Sequence, residues 1–587
     1  MLTSSGKGIN IDNYLTVEAN EDGLTASLSV NACEYCVDGD GNWKTLSART
    51  ATESINSGHT LSFRGNLTPN SSNGIGTFTI NKKCNLKGNC MSMLFGDNAA
   101  DNYSLSGKNY AFYKLFYNCS NIVNVNSNFL PATKLAERCY YYMFNDCTSL
   151  TTAPELPANT LAPYCYSYMF NRCKSLTTAP SLPATTLADY CYQYMFYNCK
   201  SLKTAPELSA TTLADYCCSG MFQYCTSLAT APALPATTLA NYCYSEMFYG
   251  CTSLTTAPKE LPATTLANYC YQYMFQGCTK LTTAPELPAT TLANSCYERM
   301  FQGCTSLTTA PKELPANTLA NNCYYQMFYG CKSLATAPEL PATTLAMGCY
   351  SMMFQGCTKL TTAPELPATT LADSCYNSMF YGCTSLTTAP ALPATTLAMY
   401  CYYDMFDGCT SLTTAPALPA TTLADSCYYG MFYGTNVLPD CSNIDFASST
   451  VVASGGLKGL FAGTKVTDND LERLLPKNDN GRYYLPATTL ANYCYSYMFN
   501  SCKSLTTAPS LPATTLADYC YQYMFYNCKS LKTAPSLPAT TLADYCYQYM
   551  FYNCTSLTTA PELPATNLAQ GCYAGMFIGC SKLTSAP

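Results

Sequence analysis

Leu156-Pro-Ala-Asn-Thr-Leu-Ala-Pro-Tyr-Cys-Tyr-Ser-Tyr-Met-Phe-Asn-Arg-Cys-Lys-Ser-Leu-Thr-Thr-Ala-Pro-Ser181 is one copy of a 26-residue unit that recurs 16 times in a near-constant frame. A fixed period of this length marks a solenoid, in which each unit buries its apolar side only against its neighbours. Leu176-Thr-Thr-Ala-Pro180 has β-type character and stops at a proline, which predicts one short strand per unit. From Thr160 to Cys173 the apolar residues Leu161, Ala162, Cys165, Tyr166, Met169, Phe170 and Cys173 fall on one side of a helical wheel. That spacing predicts a helix, with Thr160 as its N-cap and Pro163 tolerated in its first turn. Strands stacked about 4.8 Å apart, backed by helices that need about 8–10 Å each, predict an arc. The expected fold class is an α/β solenoid, a horseshoe of strand-helix units.

The rest of the 587 residues divides around this array. Residues 1–85 carry no repeat and alternate β-type runs with turn signals: Tyr14-Leu-Thr-Val, Leu24-Thr-Ala-Ser-Leu-Ser-Val, Thr60-Leu-Ser-Phe and Gly76-Thr-Phe-Thr-Ile. They read as a small all-β sandwich that attaches the chain to a larger assembly. Its Asp38-Gly-Asp-Gly-Asn stretch reads as a hairpin turn, because Arg49 stands where a calcium loop needs a bidentate Glu. Residues 86–129 are degenerate capping repeats, with Leu115-Phe-Tyr-Asn-Cys119 in the Met-Phe-x-x-Cys place. Regular repeats fill 130–434, an irregular segment or insertion spans 435–484, and regular repeats return at 485–587. Gly459-Leu-Phe-Ala-Gly-Thr464 echoes the frame, so the stack is expected to continue through the irregular part. Pro587 falls at the end of a unit without a polar cap. Cys165–Pro206 and Cys494–Pro535 differ only at Arg172 and Ser501, which points to copying of whole blocks.

The 38 cysteines amount to about two per unit. Cys165 and Cys173, eight apart, would be separated by roughly 12 Å on a helix, beyond the Cα limit of about 7 Å for a bridge. Thr435 replaces the second cysteine of one unit, which an obligate pair would not tolerate. The cysteines therefore read as buried reduced thiols. Cys33, Cys36, Cys84 and Cys90 could in principle hold zinc, with buried or bridged cysteines as the alternative. The repeats contain no histidine, and no metal or cofactor is expected.

Composition excludes several functions. Charged residues make up 11% and the net charge is −6, with Lys and Arg scattered singly, which argues against nucleic acid. No run of 18 apolar residues exists, so no membrane span is expected. The opening Met1-Leu-Thr-Ser-Ser-Gly-Lys-Gly-Ile-Asn has no apolar core and no cleavage site, so it is not a secretory signal. The single histidine, His59, has no partnered nucleophile, and no nucleotide, zinc-protease or hydrolase motif is present. The chain reads as a non-enzyme.

Six positions vary between units: in the quoted copy they are Pro163, Tyr164, Ser167, Tyr168, Asn171 and Arg172. On the helical wheel they lie opposite the apolar stripe, where simple drift would also produce variation. Tyrosine is over-represented there, and Tyr with Asn, Ser and Gln is the composition of adaptable recognition surfaces. Tyr164, Tyr168, Tyr190, Tyr194, Tyr216, Tyr242, Tyr273, Tyr493 and Tyr497 are the candidate ligand-binding residues on this outward helix face. The rival location is the strand face with its Thr177/Thr178-type ladder, and the sequence leaves both open.

The recurring Met-Phe-x-x-Cys-x-Ser-Leu signature, followed by a short strand and proline, resembles the leucine-rich repeat family, most closely its BspA-like subclass of bacterial surface proteins. The resemblance covers about residues 90–587. It implies a leucine-rich-repeat horseshoe that binds a cell-surface glycan or protein without catalysis. Similar repeats resemble those of tail-associated proteins from phages of gut Bacteroidetes. The resemblance thus implies an extracellular place, on a bacterial surface as an adhesin or in a virion as a tail fibre component. The 26-residue unit and the missing secretory signal and C-terminal anchor depart from the surface pattern and favour the virion. A spacer rod without ligand specificity is the alternative.

Overall fold

The computed structural model describes residues 8–438, 441, 444, 446 and 455–585. The first seven residues of the opening stretch, most of 439–454 in the irregular segment, and the end at Pro587 lie outside them. The chain forms two compact units, Met1–Ala289 with Met300–Leu307, and Thr290–Arg299 with Thr308–Pro587.

Among the described residues the first unit begins with eight strands: β1 (Leu15–Ala19), β2 (Ala26–Leu28), β3 (Cys33–Val37), β4 (Lys44–Leu46), β5 (Thr60–Arg64), β6 (Phe78–Ile80), β7 (Cys84–Lys87) and β8 (Ile122–Val125). One sheet has the order β4-β3-β5-β1-β7-β8, and β2 pairs with β6. Leu61 and Phe63 of β5 are fully inside, and the Phe63 ring meets Phe78 of β6 at 5.0 Å. The Asp38 turn joins the antiparallel pair β3 and β4, so it is a hairpin. Its Asp38 carboxylate accepts from the Thr60 N–H at 2.9 Å and sits 2.7 Å from His59 Nδ1.

These strands are continuous with the repeats. β7 pairs in parallel with β8, and Asn124 of β8 bridges Thr152, which bridges Thr178, Thr204, Thr230 and Thr256 in turn. Phe78 acts as the rung before the first: its ring stacks on Phe116 at 5.5 Å, and its carbonyl accepts from the Cys119 thiol.

The predicted helix is not there. Among the described residues the only α-helices are Ser92–Phe95 and Leu471–Leu474, both outside the regular units. Thr160 to Cys173 instead runs as successive tight turns. The N–H groups of Cys165, Ser167, Met169, Asn171 and Cys173 close onto the carbonyl three residues back at 3.1–3.2 Å. The alternate N–H groups, of Tyr164, Tyr166, Tyr168, Phe170 and Arg172, cross to the next rung at 2.7–3.0 Å. A helix would send every N–H to the carbonyl four residues back. Every fourth residue here is left-handed, with φ of +58° at Tyr164, +56° at Tyr168 and +60° at Arg172.

Three such residues cost about 1–2 kcal/mol each. Five inter-rung hydrogen bonds return about 1 kcal/mol each, an amount of the same size. Burial decides the balance. Cys165, Tyr166, Met169, Phe170 and Cys173 are each at most 1% exposed, and complete burial of a large apolar side chain is worth about 1.5–3 kcal/mol. The strand is also shorter than predicted, reduced to single bridges at Thr178 and its counterparts. Thr160 is not a cap; it bridges Lys134, and the equivalent Thr186, Thr212, Thr238 and Thr265 bridge one another. The helix whose width would spread the units on one side is missing.

The core of each unit is a set of columns. Phe78, Phe116, Phe144, Phe170, Phe196, Phe222, Phe248, Phe275 and Phe301 stack at 5.5–5.7 Å in the first unit. Phe328 to Phe432 and Phe461 to Phe577 stack at 5.4–5.8 Å in the second. The second cysteine of a rung donates its thiol to the Phe carbonyl of the rung before, as Cys173 does to Phe144 and Cys199 to Phe170, both at 3.1 Å. Thr435 does not make that inter-rung bond; its hydroxyl turns to Phe432 of its own rung at 2.7 Å. The stack passes through the irregular segment as expected: Gly459, Phe461 and Gly463 donate to Ser496, Met498 and Asn500.

Candidate recognition surface

The six variable positions do not form one solvent face. Pro163 and Arg172 are exposed and Tyr164 and Tyr168 half-buried, but Ser167 and Asn171 are buried. The turns have a period of four, so positions 164, 168 and 172 each start an outward column, and 167 and 171 point inward. The nine candidate tyrosines all sit in the first two columns and are all half-buried. They lie on turns, not on a helix.

The structure brings most of them together. Tyr164, Tyr190, Tyr216, Tyr242 and Tyr269 form one stack with centroid spacings of 4.4–4.7 Å and planes within 7° of parallel. Tyr142, Tyr168 and Tyr194 form a second column beside it, with the Tyr168 and Tyr194 planes tilted by 34°. Tyr493 and Tyr497 head two further stacks, over Tyr519 and Tyr523. Tyr273 stands in the second column but outside these stacks, in the rung after Glu246. Each column side chain leans over the rung that follows. Tyr194 lies flat on Gly220, where a Cβ would stand 2.2 Å from the ring, and reaches Glu246 with its hydroxyl at 3.2 Å. Gly220 therefore serves both its positive φ of +61° and the passage of that ring.

Stacking changes what the tyrosines can do. Their faces are covered by one another, so sugar rings cannot lie on them within a stack. What remains exposed is the row of hydroxyl-bearing edges. Burial, and then the neighbouring Tyr164 and Tyr216, push the Tyr190 hydroxyl up; burial in the same stack raises Tyr242 to about 12. These phenols stay neutral and can both donate and accept. The sequence reading missed Tyr142, Tyr269, Tyr519, Tyr523, Tyr545 and Tyr549, although each falls at the same position in the repeat frame.

On the other side of the rung Thr177 and Thr178 are both exposed. Grooves open between successive Thr-Ala-Pro turns. One of about 500 Å³ is lined by Thr204, Glu207, Thr230 and Pro232, and one of about 590 Å³ by Thr336, Glu339, Thr362 and Glu365. Among the described residues no group of three or more His, Cys, Asp or Glu is placed to hold a metal. Also among them, no helix is long and apolar enough to cross a membrane.

Residues 108–229, 207–335, 321–445 and 486–586 match the model of the BspA type leucine rich repeat region. The chain belongs to the BspA-type leucine-rich repeat family. Repeats of this family serve interaction or adhesion and are typically non-enzymatic, and BspA-type proteins are typically surface-exposed. A crystal structure of a leucine-rich repeat protein from Bacteroides ovatus is similar over 84% of this BspA-type chain and 92% of its own, at 16% identity. Its TM-score is 0.32. No curated relative matches the chain.

Proposed function

We propose that the chain is a recognition protein without catalysis, whose repeat array holds a cell-surface glycan or protein. It acts as a bacterial adhesin or as the receptor-binding tail component of a phage. The observation that carries this reading is the row of half-exposed tyrosine edges from Tyr164 to Tyr269, set at constant spacing on a rigid stack. Aligned phenols offer repeated hydrogen bonding at little entropic cost, because stacking already fixes the rings. The N-terminal β region is the proposed attachment point, through the β4 edge that faces away from β8.

The test uses the full-length chain, since Phe78 of the β region covers the first Phe rung. Labelled protein is incubated with Bacteroidetes cells and a broad glycan array, alongside a variant with Tyr164, Tyr190, Tyr216 and Tyr242 changed to serine. Retention that the variant loses supports the reading. Absence of retention on every cell and glycan would leave the spacer rod, which the Phe columns would serve equally well. Neighbouring genes separate the two settings: tail or baseplate genes place the chain in a virion, lipoprotein-export genes on a cell.

A further inference from the structure

Two stretches of the chain build the same outward face. In the first unit the Arg138 guanidinium lies 4.2 Å over Tyr164, which stacks on Tyr190 at 4.5 Å with planes 5° apart. In the second unit the Lys458 ammonium lies 5.2 Å over Tyr493, which stacks on Tyr519 at 4.6 Å and 4°. In the neighbouring column the corresponding pairs are Tyr168 with Tyr194, 5.1 Å apart, and Tyr497 with Tyr523, 4.7 Å apart. Tyr194 then lies on Gly220, whereas Tyr523 stacks on Tyr549, which lies on Gly575 one rung later. The capping cations lie outside the near-identical blocks Cys165–Pro206 and Cys494–Pro535, so a cation over the first ring is common to both stretches beyond the copied residues.

Beside each tyrosine stack runs a row of fixed carboxylates. Asp189 accepts from the Asp215 N–H at 3.2 Å, and Asp215 from Asn241 at 2.9 Å. Asp518 accepts from Asp544 at 3.0 Å, and Asp544 from Gln570 at 2.9 Å. Neutral hydroxyls that donate and accept, next to carboxylates that only accept, suit a ligand rich in hydroxyls. The carboxylates disfavour a polyanion. Both rows repeat with the rungs, so the ligand they fit best repeats too.

We propose that the chain carries two equivalent binding faces, one on Tyr164, Tyr168, Tyr190 and Tyr194 and one on Tyr493, Tyr497, Tyr519 and Tyr523. Each takes up a stretch of an uncharged linear polysaccharide through the hydroxyl-bearing ring edges. This rests on the recognition reading above and gives it a ligand class and a valency. A polysaccharide presents the same epitope at every repeat, so one polymer engages both faces and is held by avidity.

The experiment is affinity electrophoresis of the full chain in gels containing neutral polysaccharides (xylan, glucomannan, mixed-linkage glucan, dextran), with alginate as the anionic comparison. Calorimetry with a short oligosaccharide of the retarding polymer then counts sites. The expected result is retardation by at least one neutral polymer, none by alginate, and two oligosaccharide sites per chain. Changing Tyr164, Tyr168 and Tyr190 of one face, or Tyr493, Tyr497 and Tyr519 of the other, to phenylalanine keeps the stacks, removes the hydroxyls and leaves the Tyr194–Glu246 hydrogen bond in place. Each such variant should keep its melting temperature, show one site of unchanged affinity, and lose polymer retention by roughly tenfold or more. Changing both faces should abolish binding. One site per chain, loss of all binding from one face alone, retardation by alginate only, or binding only to a surface protein would each overturn the proposal. A chain that binds cells but none of these polymers overturns the proposal and leaves the recognition reading standing; one that binds nothing overturns both.

Discussion

Gly277→Ala separates the two possible backbones by sign. Gly277 stands in the third outward column with φ of +73°, and its N–H donates to the Gln302 carbonyl at 2.8 Å. A Cβ added there meets nothing closer than Gly250 Cα at 3.7 Å, an ordinary contact, so crowding does not enter. The change therefore isolates backbone strain. A non-glycine residue in the left-handed region costs about 1–2 kcal/mol, and alanine gives no stacking to offset it. In a solvent-facing helix the same change would stabilise by about 1 kcal/mol. Urea unfolding of the full chain, followed with amide exchange at Gly277 and Cys278, reads the difference directly. The structure calls for a loss of about 1–2 kcal/mol, with exchange quickened locally. A gain of about 1 kcal/mol would refute the turn architecture. Gly382→Ala, at φ of +70°, repeats the test in the second unit.

Phe170→Ala removes a ring stacked at 5.6 Å on both Phe144 and Phe196, and should cost about 3–5 kcal/mol; a loss under about 1 kcal/mol by urea unfolding would mean the column does not carry the core. Cys173→Ser keeps a donor beside the Phe144 carbonyl and should be tolerated, whereas Cys173→Ala loses the donor to Phe144 and about 1 kcal/mol; equal melting temperatures for the two variants would rule out that role. Nearly all of the 38 cysteines should titrate as thiols after denaturation without reductant, and a mostly oxidised count would contradict the buried columns. Burial, with Asp407 beside it, pushes the Asp404 carboxyl up to about 7, and burial pushes Asp407 up to about 6. Both fold best protonated, so their stabilising contribution is full below the ordinary carboxyl range and is lost as pH rises through about 6–7. Asp404→Asn should gain about 1–2 kcal/mol near pH 8, once partial exposure is allowed for, and nothing near pH 4; an equal gain at both would contradict this origin.

The period, the frame residues and the continuation through Gly459 were legible because burial between neighbours imposes them on every unit. The backbone was not. Cys165, Tyr166, Met169, Phe170 and Cys173 recur every four residues, and over so short a segment a helix of 3.6 residues per turn drifts too little to be told apart. The signal that distinguishes them lay in the variable positions. Glycine and asparagine exchange with tyrosine at 168, 172 and their counterparts (Gly220, Gly250, Asn198), the mark of a left-handed position and not of a drifting helix surface. For the candidate surface, the tyrosines were found but their stacking was not, because a ring partner one rung away is 26 residues off in sequence. The Arg138 cap was hidden for the same reason, its partner Tyr164 being one rung away, and the rung at Phe78 because the repeat frame there is too degenerate to align.

Far-UV circular dichroism of the purified full chain tests the central claim most directly. Rungs built from stacked turns predict a spectrum with almost no helix, matching the two single-turn segments Ser92–Phe95 and Leu471–Leu474. A strongly helical spectrum, as sixteen strand-helix units would produce, would contradict the architecture and with it the tyrosine columns.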